Sequence, residues 1–195
     1  MRLTLAWHGP LRAGALPVDS GAIAMLDVPA VYLRVKRYDN GRVIAYVGQS
    51  RHLIARIDQH IGQLLALQVA VRGGSGETRL GGSAPERFAG LNRLDETLAM
   101  VKDELRRLTF YYARCDEPEA LGLLEHLLKT RIEERALTAA ALGCENRNAV
   151  SYTALDESVA VENVLDALPS ADRACVALLL GDEHLVAALE TADGA

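Results

Sequence analysis

The strongest constraint on the fold is a β-hairpin pattern in residues 30–48. Residues 30–37 alternate apolar and polar side chains with a period of two, which is typical of a half-buried strand. The tripeptide Asp39-Asn40-Gly41 follows, and Gly41 can supply the positive φ that a tight turn requires. Residues 42–48 provide the returning strand. The segment therefore predicts an antiparallel pair of strands as the clearest local unit of the fold.

The length of the turn determines which side chains share a face of this hairpin. If residues 39–41 form a three-residue loop, Leu33 faces Val47 and Val35 faces Ala45. Tyr32 and Tyr46 then lie diagonally on the opposite face, within reach of each other. A two-residue turn would place the two tyrosines on opposite faces. The functional hypothesis below requires the three-residue loop.

Shorter patterns predict the elements on either side of the hairpin. Strands are expected at residues 3–7 and 109–115. Helices are expected at about 51–67, 85–108, after Asp116, and at about 161–168, while residues 174–180 fit either a strand or a helix. Residues 72–84 are rich in Gly and Ser and predict a mobile loop.

Two of the predicted helices carry polar residues that could take part in chemistry. Ser50 is a suitable N-cap for the helix at 51–67, in which His52, Arg56 and His60 follow one another at i, i+4 spacing. The helix after Asp116 carries Glu125 beside its apolar stripe. Taken singly, such residues are usually solvated helix positions.

The order of these pieces resembles the GIY-YIG nuclease family. Ala30-Val31-Tyr32 stands in place of the first signature, Gly-Ile-Tyr, and Tyr46-Val47-Gly48 stands in place of the second. Arg56 lies ten residues beyond Tyr46, and His60 lies four beyond Arg56. The segment around Glu125 resembles the helix that presents the family's metal-binding glutamate. The resemblance covers about residues 28–149, with an apparent insertion near 62–108.

The family's final conserved residue is an asparagine, and two positions of this chain fit it. Asn146 and Asn148 both lie in the segment 145–148, and we take Asn146 as the candidate, at a longer distance from Glu125 than the family leads us to expect. The resemblance therefore implies a catalytic set of Tyr32, Tyr46, Arg56, His60, Glu125 and Asn146.

The resemblance also implies how such a set hydrolyses a phosphodiester. Arg56 would contact the phosphate through two N–H groups, as guanidinium geometry allows. Glu125 alone would hold Mg²⁺ or Mn²⁺, with water and phosphate oxygens completing the coordination. Tyr32 would act as general base and Tyr46 would orient it or the phosphate, although a free tyrosine has a pKa near 10 and is a poor base at neutral pH.

Charge is unevenly distributed along the chain. The net charge is −5, but residues 1–149 carry 20 Lys and Arg against 17 Asp and Glu, and residues 150–195 carry one Arg against nine acids. The body is therefore mildly basic, which permits a phosphate-containing partner without demonstrating one. The acidic tail is a candidate protein-interaction or autoinhibitory segment.

Several classes of protein are disfavoured by composition. The apolar runs are far shorter than the roughly 20 residues that span a bilayer, and the N-terminus lacks a signal-peptide pattern. The three cysteines are far apart and have no metal-ligand spacing. The Gly-rich segment 72–76 lacks the Gly-Lys-Ser/Thr ending of a phosphate-binding loop. We expect a cytoplasmic protein without membrane association.

The sequence as a whole predicts an α+β fold with a small, mainly antiparallel three-stranded sheet flanked by helices. It divides into an N-terminal extension at 1–27, a GIY-YIG-like nuclease domain at 28–149 and an acidic C-terminal extension at 150–195. The expected activity is metal-dependent endonucleolytic cleavage of DNA, most simply double-stranded. The alternative is a catalytically inactive GIY-YIG-like module that binds nucleic acid or protein. A homodimer formed through the helix at 85–108 would place one active centre on each strand.

Overall fold

The computed structural model describes residues 2–146, 159–181 and 184–187. The strands are β1 (Arg2–Arg12), β2 (Ala30–Arg37), β3 (Val43–Ser50), β4 (Val71–Arg72), β5 (Thr78–Leu80), β6 (Leu108–Arg114), β7 (Leu142–Cys144), β8 (Val159–Val164) and β9 (His184–Ala187). The helices are α1 (Ser20–Met25), α2 (Leu53–Leu65), α3 (Ala84–Leu91), α4 (Leu94–Arg107), α5 (Leu121–Thr138) and α6 (Ser170–Leu180), and a 3₁₀ turn (Pro118–Ala120) precedes α5.

The prediction of a three-stranded, mainly antiparallel sheet is wrong. The main sheet is mixed and has the strand order β7-β3-β2-β6-β1-β8-β9 among the described residues. β1 pairs with β8 and β3 pairs with β7 in parallel, whereas the other neighbours are antiparallel. β1 and β8 come from the segments interpreted as extensions of the chain, so the fold is a larger mixed α+β structure.

The β2–β3 hairpin has the predicted register. Leu33 pairs with Val47 and Val35 pairs with Ala45. The Tyr38 amide donates to the Arg42 carbonyl at 2.9 Å, which closes a three-residue loop, and Gly41 has a φ of +79°. The turn chemistry of residues 39–41 therefore determines which face of the sheet carries the tyrosines.

Helices cover both faces of the main sheet. On one face, odd-numbered residues of β2 and β3 pack with apolar residues of α5 and α6: Val31, Leu33, Val35, Ala45, Val47, Leu121, Leu124, Leu128, Ile132, Val176 and Leu179. On the other face, Tyr32, Leu53, Ile57 and Phe110 form a second cluster with α2. Because side chains alternate along a strand, Arg34 and Lys36 lie on this second face with Tyr32.

Several predicted elements differ from the observed ones. The helix expected at 51–67 is Leu53–Leu65, because Ser50 stays in β3 and its hydroxyl accepts from the His52 amide at 3.0 Å. The helix expected at 85–108 is two helices, α3 and α4. The expected mobile loop contains the β4–β5 hairpin, and the helix expected near 161–168 is replaced by strand β8, which ends at Val164.

Helix α4 is tied to the sheet by a buried ion pair. The Lys36 ammonium on β2 donates to Glu104 Oε1 on α4 at 2.6 Å, and the two side chains are 5% and 0% exposed. The Tyr38 hydroxyl also donates to Glu104, at 3.3 Å.

Across the part of the chain that the structure describes, no helix has the length and apolar character needed to cross a membrane.

Candidate functional site

Four of the six predicted site residues meet on the α2 face of the sheet. The Tyr32 hydroxyl lies 2.8 Å from His60 Nε2 and accepts from Arg56 Nε at 3.0 Å. Arg56 Nη2 lies 3.5 Å from the Tyr46 hydroxyl, and the two tyrosine rings are 6.2 Å apart. We call Tyr32, Tyr46, Arg56 and His60 the tyrosine cluster. The hairpin register brings the phenols together, and helical spacing places His60 one turn beyond Arg56.

Gly48 provides the space that Tyr32 occupies. Gly48 is the residue of β3 that pairs with Tyr32, and a Cβ atom there would lie 2.3 Å from the Tyr32 hydroxyl oxygen. Tyr32 is fully buried, and its hydroxyl is held by Arg56 and His60. The glycine of the second signature triplet is therefore a packing requirement of the tyrosine cluster.

We expect Gly48→Ala to destabilise the protein by about 1–3 kcal/mol, since the added methyl group overpacks a buried site. The free energy of unfolding is measured by urea denaturation with far-UV circular dichroism. Gly62→Ala is the matched control, because a Cβ at this position of α2 meets no atom within 4 Å. The control is expected to gain roughly 0.5–1 kcal/mol from helix propensity. Equal stability of Gly48→Ala and the wild type would contradict the packing argument.

The hydrogen bonds of His60 define its tautomer. Arg34 Nη1 lies 2.9 Å from His60 Nδ1, and a guanidinium can only donate. His60 Nδ1 is therefore the acceptor, and Nε2 carries the proton that is donated to the Tyr32 hydroxyl. Burial, together with the charges of Arg34, Arg56 and Lys36, lowers the pKa of His60 to about 2. His60 is thus a neutral donor to Tyr32 at physiological pH.

The Tyr32 oxygen consequently accepts two hydrogen bonds, from Arg56 and from His60. Burial raises the pKa of Tyr32 well above its ordinary value, and the nearby Tyr46 adds to this effect. The charge and hydrogen bond of Arg56 oppose it. Tyr32 is a protonated phenol at neutral pH, in surroundings whose two donors favour the phenolate whenever it forms.

Glu125 is less closely associated with the tyrosine cluster. It lies on α5, whose apolar stripe packs against the opposite face of the sheet. Burial raises the pKa of Glu125, while the charges of Arg56 and Lys129 lower it. The charge of Arg56 therefore acts on the Glu125 carboxylate. Within the described part of the chain, however, no hydrogen bond or ion pair joins Glu125 to another residue.

Asn146 binds the backbone of β3, and no hydrogen bond joins it to the tyrosine cluster in the described structure. Its side-chain amide donates to the Val47 carbonyl at 2.7 Å and accepts from the Val47 amide at 2.8 Å. It thereby continues the edge of β3 beyond β7, which pairs only with Val43–Ala45. The other candidate, Asn148, lies outside the described residues.

A polar cavity of about 660 Å³ adjoins the tyrosine cluster. Tyr46, Arg56 and His60 line it together with further residues: Arg34, Lys36, Gln63, Gln68, Arg72, Thr78, Ser83, Glu86 and Glu145. Arg34 and Lys36 alternate with apolar residues on the strand that carries Tyr32. This period-two spacing predicts that both cations lie on the same face of the sheet as Tyr32. Arg72 belongs to the β4–β5 hairpin, whose Gly- and Ser-rich sequence predicts a mobile loop, so the sequence gives no signal for its place in the cavity.

Three of these cations surround one carboxylate. Arg34 Nη2 lies 2.7 Å from Glu145 Oε2, while Arg72 Nε and Lys36 Nζ lie 3.1 Å and 3.9 Å from Glu145 Oε1. Burial alone would raise the pKa of Glu145, but Lys36, Arg34 and Arg72 outweigh it and hold that pKa below its ordinary value. The cavity wall is therefore arranged to stabilise an oxyanion.

The described residues contain no group of three or more His, Cys, Asp or Glu side chains that could hold a metal ion. Mg²⁺ is often held by one or two carboxylates together with water and substrate phosphates. A single carboxylate such as Glu125, which has no hydrogen-bond or ion-pair partner among the described residues, fits a metal that is bound jointly with a phosphate. It does not fit a metal site formed by protein ligands alone.

Comparisons with protein-family models, with curated proteins and with solved structures gave no match to this chain. The functional argument therefore depends on the geometry and chemistry of the site.

Proposed function

We propose that this protein is a divalent-metal-dependent endonuclease that hydrolyses phosphodiester bonds in DNA. The observation that carries the proposal is the contact of one buried phenol, Tyr32, with both Arg56 and His60 beside Tyr46. These are four of the residue types that the resemblance to the GIY-YIG nuclease family implies, in the positions that it implies. The adjoining cation-rich cavity adds a surface suited to phosphate.

Arg56 is the residue that stabilises charge on the phosphate. Its guanidinium contacts Tyr32, Tyr46 and Gln59, and has more N–H donors than these contacts use. Because its orientation is already set by the two phenols, its remaining donors need little reorganisation to meet the equatorial oxygens of the phosphate. Glu125 would hold the metal ion, which supplies Lewis acidity at the phosphate when bound.

Tyr32 is the general base in this proposal. Its ionised form accepts a proton of the attacking water as the water oxygen bonds to phosphorus. The bond from phosphorus to the leaving oxygen breaks, and the leaving oxygen takes up a proton from solvent. The donors on Arg56 and His60 stabilise the phenolate, but burial keeps its population small at neutral pH. A base of this kind makes cleavage faster as the pH rises.

A plasmid-cleavage assay tests the proposed activity. Supercoiled DNA incubated with the purified protein is expected to be nicked or cut with Mg²⁺ or Mn²⁺ and to remain intact with EDTA, and Glu125→Gln is expected to lack this activity. Glu134→Gln, an exposed glutamate of the same helix, is the control and should cut normally. Failure to cut both the plasmid and a linear duplex with a single-stranded extension under all metal conditions, or equal cutting by Glu125→Gln, would refute the proposal.

The second candidate is a module that binds nucleic acid without cutting it. The placement of Glu125 outside the tyrosine cluster and the raised pKa of Tyr32 favour this candidate. In the same assay it predicts retarded migration of the plasmid without strand breaks.

The homodimer and the cytoplasmic location remain predictions. The α3–α4 region, where the dimer contact was predicted, exposes four large apolar side chains: Phe88, Leu91, Leu94 and Leu98. Such a surface is compatible with a protein contact.

A further inference from the structure

The cavity beside the tyrosine cluster has the size of a small-ligand site. Its volume of about 660 Å³ lies within the roughly 300–1,000 Å³ typical of such pockets. It extends from Arg56 and His60 to the β4–β5 hairpin and the segment before α3, so walls rise on several sides. A single nucleotide fits such a space, whereas a double helix can only lie across its opening.

The charges of the cavity favour an anion. Arg34, Lys36, Arg56 and Arg72 face two carboxylates, Glu86 and Glu145. Glu104 does not line the cavity but lies behind its wall, where it pairs with Lys36. Arg72 donates through Nε to Glu145 and through Nη1 to the Gly76 carbonyl and the Thr78 hydroxyl, which leaves its Nη2 without a partner among the described residues. The arginines therefore have unused capacity for a phosphate beyond what Glu145 satisfies.

Neutral polar side chains complete the cavity. Gln63 and Gln68 line it on one side, and Thr78 and Ser83 line it on another. Amide and hydroxyl groups both donate and accept hydrogen bonds, which is the chemistry needed at the edge of a base or at a sugar hydroxyl. An inorganic phosphate would leave these groups unused, and a nucleotide would engage them.

We propose that this cavity binds one unpaired nucleotide of the DNA substrate, with its phosphate on Arg34 and Arg72. The proposal deepens the endonuclease function and rests on it for the cleavage step. It follows that the preferred substrate has a single-stranded extension, and that the scissile phosphate lies next to the nucleotide in the cavity. A blunt duplex binds only through the outer surface of the protein.

A binding experiment tests the proposal without relying on cleavage. The probes are a fluorescent blunt duplex and the same duplex with a 5′-phosphorylated single-stranded extension, and the protein is full-length Glu125→Gln in EDTA. Fluorescence anisotropy is expected to show about tenfold tighter binding of the extended probe, as one added charge-assisted contact implies. Excess dTMP is expected to remove this difference. Equal affinities for the two probes, or an extended probe insensitive to dTMP, would overturn the proposal.

Arginine variants locate the contact within the cavity. Arg72→Gln is expected to abolish the preference for the extended probe, because it lowers the affinity for the extended probe more than the affinity for the blunt duplex. Arg79→Gln is the control, because Arg79 lies on the same hairpin, is exposed and pairs with Glu77. An equal loss for both probes would show a non-specific charge effect and refute the assignment. Arg72→Lys provides a second variant if Arg72→Gln does not fold. Lysine keeps the charge but loses the paired N–H donors of the planar guanidinium.

The two proposals can fail independently. Metal-dependent plasmid cleavage without a preference for the extended probe would refute only the nucleotide cavity. A preference for the extended probe without any cleavage would refute only the nuclease activity.

Discussion

Replacement of Arg56 by lysine is expected to reduce the rate of metal-dependent DNA cleavage by about 10²–10³-fold. Lysine keeps the positive charge but cannot contact Tyr32 and Tyr46 while also presenting two parallel N–H groups to a phosphate. The loss should appear in kcat, since the guanidinium acts most strongly on charge that develops in the transition state. The measurement is single-turnover cleavage of a labelled oligonucleotide under excess enzyme.

The pH profile of the Arg56→Lys variant gives a second readout of the same prediction. The charge and hydrogen bond of Arg56 lower the pKa of Tyr32 against the larger effect of burial. Losing the hydrogen bond raises that pKa further, so the fraction of phenolate at any given pH falls and the variant needs a higher pH to reach a given rate. Arg51→Lys, at an exposed position before α2, should behave as the wild type. Comparable rates and pH profiles for Arg56→Lys and the wild type would exclude the proposed role.

The tyrosine cluster could be predicted from sequence because its geometry depends on local rules. The three residues of the turn set the register of β2 and β3, and the register sets the face on which Tyr32 and Tyr46 lie. The relative positions of Arg56 and His60 follow from helical spacing alone. Interactions between neighbours in the chain are the part of a fold that a sequence pattern describes most directly.

The rest of the sheet depends on contacts between distant residues. Strand β8 pairs with β1, more than 150 residues away, and the Trp7 indole donates to Asn163 at 2.8 Å in the interior. No local pattern distinguishes such a strand from a short amphipathic helix, so the segment near 161–168 was assigned incorrectly. Arg72 and Glu145 likewise meet at 3.1 Å only because the β4–β5 hairpin packs against the β2–β3 turn, where the Asp39 amide donates to the Gly74 carbonyl.

Lys36→Met is expected to destabilise the protein by about 3–5 kcal/mol, because it leaves the Glu104 carboxylate buried without its cation. Glu104 is inaccessible to solvent, and its remaining partner among the described residues is the Tyr38 hydroxyl at 3.3 Å. A loss of this size is a large part of the roughly 5–15 kcal/mol that stabilises a typical protein. Urea denaturation followed by circular dichroism measures it, and Lys102→Met, an exposed position on α4, should change stability by less than about 0.5 kcal/mol.

The double variant Lys36→Met/Glu104→Gln separates the buried charge from the loss of lysine packing. Glutamine still accepts from Tyr38 but carries no charge, so the double variant is expected to recover more than half of the stability lost in Lys36→Met. Should the single variant fail to fold, folding of the double variant supports the same conclusion. A double variant no more stable than Lys36→Met would show that the carboxylate charge is not the cause. Because Lys36 also lines the nucleotide cavity, the ion pair with Glu104 links the position of α4 to the wall on which the proposed phosphate contacts depend.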